Sequence, residues 1–225
     1  MAARFAVSPA RVLAPAEGPQ ARVAQPEPIS SVESRLEASL IAARAGNPIA
    51  FEAVYRALAP RLARYARGLV GQDGEDVAAE AWLQIVRDLA RFEGDWDAFR
   101  GWAARILRNR AIDHLRAQSR RPSSGLALEA VVELPSSDDT EIAAEEALST
   151  SGAIELIASL PPDQAEAVLL RAVVGLDAKS AGAVLGKRPG AVRVAAHRGL
   201  KTLATRLEAA PDRNGCRTSS AGTVS

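Results

Sequence analysis

A single cysteine, Cys216, and two histidines, His114 and His197, leave this 225-residue chain few routes to chemistry. One thiol excludes an intramolecular disulfide and a thiolate zinc site. Two isolated histidines, with no glycine-rich phosphate loop and no nucleophile beside a base, offer no catalytic constellation. The expectation is a protein that is not an enzyme and holds no metal or cofactor. Long apolar runs are also missing: none approaches the roughly 20 residues of a membrane span. The opening MAARFAVSPARVLAPAEGPQ breaks its apolar patches with proline, which makes a poor signal peptide, so a cytoplasmic location is expected. No run shows strand alternation, and the composition favours Ala, Leu and Arg, so the predicted fold class is all-α.

Charge is nearly balanced, with 28 Lys and Arg against 27 Asp and Glu for a net +1, but it is segregated. Basic residues gather at 100–121 and 187–206, and Asp138, Asp139, Glu141, Glu145 and Glu146 lie between. Local nucleic-acid contacts fit this distribution better than the overall balance does. Residues 101–121 resolve at helical spacing into two stripes. Ala104, Leu107, Ala111 and Leu115 suit packing, whereas Arg105, Asn109, Asp113, Arg116 and Arg120 share the opposite side. Trp82, Phe92, Trp96, Phe99 and Trp102 cluster around the start of that helix. Basic side chains beside aromatics are what a protein needs to hold a phosphate backbone and unstacked bases. A solvated helix over an aromatic core is the competing explanation of the same pattern.

Residues 1–30 are rich in Ala and Pro without periodicity and are expected to be a disordered extension. Ser31-Val32-Glu33-Ser34 supplies caps for a first helix, and Gly46-Asn47-Pro48 ends it. A second helix is predicted from Ile49 to Val70 with a kink at Pro60. A third, capped by Asp73, is predicted over Glu75–Arg91. It buries Ala78, Ala81, Trp82, Ile85 and Leu89 and presents Glu80, Leu83, Gln84 and Arg87. The basic helix runs from about Phe99 to Arg120, and residues 122–147 form an acidic linker. Helical periodicity returns at Ile154–Leu160, then from Gln164 to about Val174.

Ala178–Leu185, a turn at Gly186 and a helix opening on Pro189 have helix-turn-helix spacing. In the second helix Val192, Ala196, Gly199, Leu203 and Leu207 point inward. Gly190, Arg193, Val194, His197 and Lys201 point out, with Lys187 and Arg188 at its start. Such an N-terminal end favours phosphate and places Arg against guanine in a major groove.

Taken in order, these strings resemble the sigma-70 family of bacterial transcription initiation factors, in its extracytoplasmic-function (ECF) group. The resemblance spans about 37–207. Ala50-Phe51-Glu52-Ala53-Val54-Tyr55-Arg56 is similar to the opening helix of sigma region 2. Asp73-Gly74-Glu75-Asp76-Val77-Ala78-Ala79-Glu80-Ala81-Trp82-Leu83 resembles its segment that docks on polymerase. Phe99-Arg100-Gly101-Trp102 and Ile106–Arg116 resemble the part that melts and reads the −10 element. Leu160-Pro161-Pro162, Val173-Val174-Gly175-Leu176, Gly190-Ala191-Val192-Arg193 and His197-Arg198 resemble region 4, which reads the −35 element.

The resemblance implies a sigma factor with two helical domains. These are region 2 over 31–121 and a region 4 helix-turn-helix over 148–208, joined by the flexible linker and followed by a disordered tail at 209–225. It implies core RNA polymerase, through β′ and β, and promoter DNA as partners, with an anti-sigma factor as a further one. Asp76, Glu80, Leu83, Gln84 and Arg87 are then expected to bind core polymerase. Trp102, Arg105, Arg108, Asn109, Arg116 and Arg120 are expected to bind −10 DNA. Lys187, Arg188, Arg193, Val194, His197 and Arg198 are expected to bind −35 DNA. Ala79 stands where the family commonly has glutamine, and Val194-Ala195 where it commonly has Ser-Arg. A rival is an operator-binding regulator that uses 154–207 for DNA and 37–121 to dimerise, which leaves the basic stripe unexplained. Which of Trp96, Phe99 and Trp102 touches a base stays open.

Overall fold

In a computed structural model of the chain, the described residues are 29–120 and 150–209. The predicted linker lies wholly outside them, and the extension and tail almost wholly. Among the described residues there is no strand. The elements are α1 (Ile29–Arg44), α2 (Pro48–Val70), α3 (Gly74–Asp88), α4 (Trp96–Arg120), α5 (helical over 150–158), α6 (Pro162–Val168), α7 (Ala178–Leu185) and α8 (Pro189–Ala209).

Helix boundaries follow from their caps. Asn47 caps α2, its Oδ1 accepting from the N–H groups of Ile49 at 3.0 Å and Ala50 at 3.1 Å, with Pro48 in the first turn. The helix continues through Pro60 to Val70. Helix α4 begins three residues earlier than its periodicity predicts. Asp95 Oδ1 accepts from Ala98 N at 2.8 Å, and Glu37 of α1 accepts from Trp96 N at 2.5 Å, so two carboxylates serve its orphan donors.

Three local expectations are corrected. Helix α1 is already formed at Ile29, so Ser31-Val32-Glu33-Ser34 lies inside it. Asp73 precedes α3 but makes no side-chain cap. Its Oδ2 instead meets His114 Nε2 at 2.9 Å and accepts from Gln118 Nε2 at 2.7 Å, tying the turn before α3 to the far end of α4. Helix α3 stops at Asp88 and tightens into a 3₁₀ turn at Leu89–Arg91.

The predicted stripes are buried as expected over most of their length. Ala78, Ala81, Trp82 and Ile85 of α3 and Leu89 of the turn after it are in the core, as are Ala104, Leu107 and Ala111 of α4. Leu115 is 43% exposed and Leu207 61%, because α4 and α8 run past the bodies that cover their earlier turns. Phe92, Phe99 and Trp102 pack as a cluster, with Phe92–Trp102 ring centroids 5.0 Å apart and Phe92–Phe99 5.4 Å apart. Trp96 stacks on Phe99. All but Trp102 are buried.

Helix α6 widens into a π-helical turn at Leu169–Val173, closed by Val174 N donating to Leu169 O at 3.0 Å. Asp177 caps α7 through Ser180 N at 2.7 Å, and Gly186, at φ 67°, ends it in the left-handed region that glycine adopts without strain. The second helix can then cross closely: a Cβ on Gly182 would lie 2.6 Å from Lys187 O. Helix α8 packs on α6, with Gly199 seated against Val168 and Leu160. The buried hydrophobics form one continuous cluster from Leu40 of α1 to Ala196 of α8, so the two helical bodies share a core.

Candidate nucleic-acid interface and apolar groove

Helix α4 presents Arg105, Asn109, Asp113, Arg116 and Arg120 to solvent. Burial of Ala104, Leu107 and Ala111 on the opposite side fixes that orientation. Of the expected −10 residues, Arg105, Asn109, Arg116 and Arg120 therefore share one open face. Arg116 lies 3.5 Å from Asp113, an exposed pair worth little. Trp102 and Arg108 are placed differently. Trp102 is half-buried against Phe92 and Phe99. The Arg108 guanidinium donates to both carboxylate oxygens of Glu166, at 3.1 and 3.2 Å. Trp96 and Phe99 are core residues and present no ring to solvent.

Helix α8 presents Arg193, Val194, His197 and Arg198, with Arg188 at its start, all exposed. Val194, at 51% exposure, is an apolar side chain in the middle of a basic face, where it can meet a thymine methyl. Lys187 is half-buried and sits 2.7 Å from the exposed carboxylate of Asp163 in α6, a surface pair that offsets part of its charge.

Across the molecule, α2 and α3 enclose an open apolar groove lined by Phe51, Tyr55, Pro60, Ala79, Trp82, Leu83 and Val86, with Arg56, Glu75 and Arg87 at its edge. Tyr55 packs on Trp82 with ring centroids 4.7 Å apart, and Phe51 meets Trp82 edge-on at 6.2 Å. Tyr55, Leu83 and Val86 are 43%, 62% and 52% exposed. This mixture of aromatic anchors, aliphatic surface and charged rim suits a protein partner. The expected docking residues Leu83 and Arg87 line it, and Asp76 and Glu80 lie exposed on the same helix. Gln84 turns away: its Nε2 donates to Asp88 at 2.5 Å and its Oε1 accepts from Arg110 at 2.8 Å, bridging α3 to α4. Phe51, Tyr55 and Val86 were missed as docking candidates. The Phe51–Tyr55 spacing of four along α2 was the available signal.

Two titrating groups lie outside these faces. Burial, and next the Glu166 carboxylate, push the Tyr65 phenol far above its ordinary value, while Arg108 opposes. The backbone N–H of Ser180, then its side chain, hold the Asp177 carboxyl below its ordinary range. Among the described residues no group of His, Cys, Asp and Glu could hold a metal ion, and no helix is long and apolar enough to cross a membrane.

Comparison with known proteins bears on the family and the fold. Residues 54–121 match the family described as Sigma-70 region 2, and residues 153–203 match Sigma-70, region 4. The ECF RNA polymerase sigma factor SigD of Mycobacterium tuberculosis is 35% identical over 185 residues, covering 79% of this chain and 86% of that protein. SigF of Caulobacter vibrioides, also an ECF RNA polymerase sigma factor, is 32% identical over 191 residues, covering 81% and 99%. The solved structure of CnrH in complex with the cytosolic domain of CnrY superposes with a TM-score of 0.54 at 23% identity. It covers 78% of this chain and 98% of that one, a likeness of fold. Two sigma modules in the family's order, on an all-α frame with relatives that match along most of their length, place the chain in the ECF group of sigma-70 RNA polymerase sigma factors, which direct transcription initiation at promoters.

Proposed function

We propose that the α2–α3 groove seats core RNA polymerase, that the open face of α4 grips the −10 element, and that the exposed face of α8 reads the −35 element as duplex. The groove carries this reading. It is an aromatic-floored apolar surface on the same body as the basic stripe, so one body offers a protein partner and DNA a face each, whereas a regulator that dimerises through the groove leaves the stripe without a use. In docking, Leu83, Val86 and Tyr55 supply apolar area, and Asp76, Glu80 and Arg87 set the register at the rim.

At −10, Arg105, Arg116 and Arg120 hold backbone phosphates, Asn109 hydrogen-bonds a base edge and Trp102 packs against the separated strand. At −35, Arg188, Arg193, His197 and Arg198 contact bases and phosphates at the positive end of α8, while Val194 reads a thymine methyl and Lys187 neutralises phosphate. Bond-making belongs to the polymerase. This chain contributes recognition and carries no catalytic residue or cofactor. The domain limits are region 2 at 31–121 and region 4 at 148–208, the protein acts in the cytoplasm, and an anti-sigma protein is a fitting partner. The solved relatives CnrH and RpoE of Bartonella quintana are each described in complex with another protein, in the second case an anti-sigma factor.

Promoter-dependent transcription with purified core enzyme tests the whole proposal. The chain should stimulate initiation, and Leu83→Glu should reduce core binding at least roughly tenfold, because a charge is placed in a desolvated contact. A chain that neither binds core nor stimulates transcription would sink it, and tight duplex binding without polymerase would favour the operator-binding regulator.

A further inference from the structure

Helix α4 outruns the body that covers it. Ala111 is its last buried residue, Leu115 is exposed, and Arg116 and Arg120 lie in the overhanging turns. Apolar packing fixes the near end of the open α4 face and leaves the far end to polar ties. Arg110, His114 and Gln118 make them, recurring every four residues on the side of the helix opposite Arg116 and Arg120. Arg110 donates to Gln84 Oε1 at 2.8 Å. Beyond it, His114 and Gln118 converge on a single oxygen, Asp73 Oδ2, at 2.9 and 2.7 Å. A carboxylate oxygen facing two side-chain nitrogens accepts from both, so His114 holds a proton on Nε2. The anchor is stiff. Asp73 ends the 3₁₀ turn Gly71–Asp73, and Gly74 after it sits so close to α2 that a Cβ would fall 2.6 Å from Arg67 N. An aspartate just before a helix ordinarily turns its oxygen onto that helix's N–H groups. Asp73 makes no such cap and turns its carboxylate to α4.

We propose that Asp73, His114 and Gln118 form a clasp whose task is to position Arg116 and Arg120 for the −10 strand. The three touch no DNA and act as positioning residues. They hold the overhanging turns of α4 to the body, so that two guanidinium groups meet phosphates without first ordering a frayed helix end. Ser119 Oγ and Arg120 Nε both donate to Arg116 O, which stiffens the last turn on itself but does not join it to the body. His114 and Asp73 are half-exposed, so their pair adds little to overall stability, and its consequence is local order. The anchor adjoins α3, which references the DNA grip to the helix that docks on polymerase in the proposed function.

This inference rests on the assignment of the α4 face to −10 DNA. Its test uses holoenzyme assembled from core polymerase and the full chain, binding a fluorescent duplex with a premelted, mixed-sequence −10 segment across a salt series. Arg116→Gln with Arg120→Gln removes two phosphate contacts and should flatten the slope of log affinity against log salt by about 1.4, at roughly 0.7 per single-strand phosphate. Asp73→Ala, and separately His114→Ala with Gln118→Ala, should flatten it in the same direction and weaken binding at least about threefold. Neither should weaken binding further in the chain already lacking both arginines, since positioning acts only through them. His114→Gln, which keeps a donor at similar reach, should restore the slope. The His114/Gln118 variant should keep its core affinity and thermal midpoint, and amide exchange at 112–120 of the free chain should quicken at least about threefold. An unchanged slope in both clasp variants overturns the proposal. So does a further loss in the arginine-less background, or a slope change matched by a lowered thermal midpoint in both. Wild-type holoenzyme that fails to bind the probe overturns the −10 assignment itself, and the exchange result then still reports whether the clasp holds the helix end.

Discussion

Single residues in this protein divide between those whose exposure suits contact and those whose partners lie within the fold. Asn109, Arg116, Arg193 and Val194 are exposed, and their neighbours along the helix are buried, so their exposure follows from helical spacing alone. Gln84, Lys187 and Arg108 lie at equally suggestive positions, yet they bond to Arg110, Asp163 and Glu166. Nothing in their own helices announces this, because the partners lie on other elements. Tyr65 is a residue-scale cost. It is fully buried, and its hydroxyl finds no hydrogen-bond partner, beneath the Arg108–Glu166 pair. Tyr65→Phe removes an unsatisfied polar atom while keeping the ring, so urea unfolding should show stability unchanged or raised by about 1 kcal/mol. A loss of more than that would show that the hydroxyl has a partner in solution.

At the scale of elements, caps explain what hydrophobic periodicity places only approximately. The stripe of α4 predicts a start at Phe99, but Asp95 and Glu37 move it to Trp96, and only the first of these is local. Asp73 reads as a cap from its position, and tertiary partners His114 and Gln118 take its carboxylate instead. Asp177 shows the opposite case, a residue just before α7 whose cap is local and also lowers its carboxyl pKa. A folded pKa below the ordinary 3.8 means that Asp177 stabilises the helix-turn-helix fully above that pH. The contribution is lost as the pH falls through the lower folded value. Asp177→Ala should therefore cost about 1 kcal/mol at neutral pH and much less near pH 2. Thermal melts followed by circular dichroism at both values check this, and a cost independent of pH would argue against the cap.

The whole molecule adds the relation between modules. With α4 against α7 across a cleft lined by Trp102, Arg105 and Val184, and Arg108 on Glu166, the two proposed reading faces cannot address two distant promoter elements together. Fluorophores placed through Ala98→Cys and Lys179→Cys, in a Cys216→Ser background, flank the same cleft and should transfer energy efficiently in the free chain. Transfer should vanish in the promoter complex, where the modules move to sites about 85 Å apart. Persistent transfer in an active complex would show that opening is not required.

What the sequence by itself determined is local. An all-α frame, the inward stripes of α3, α4 and α8, the helix-turn-helix with Gly186 at its turn, and the order of strings that marks a sigma factor all rest on spacings within one helix or turn. Tertiary structure decided the rest. The groove needs α2 and α3 side by side before Phe51, Tyr55, Trp82 and Val86 become one surface. The Arg108–Glu166 fork needs residues 58 positions apart to meet as an ion pair. Periodicity reports which side of a helix is covered, because burial repeats with the turn of that helix. It carries no record of which element does the covering, since any apolar surface satisfies the same stripe.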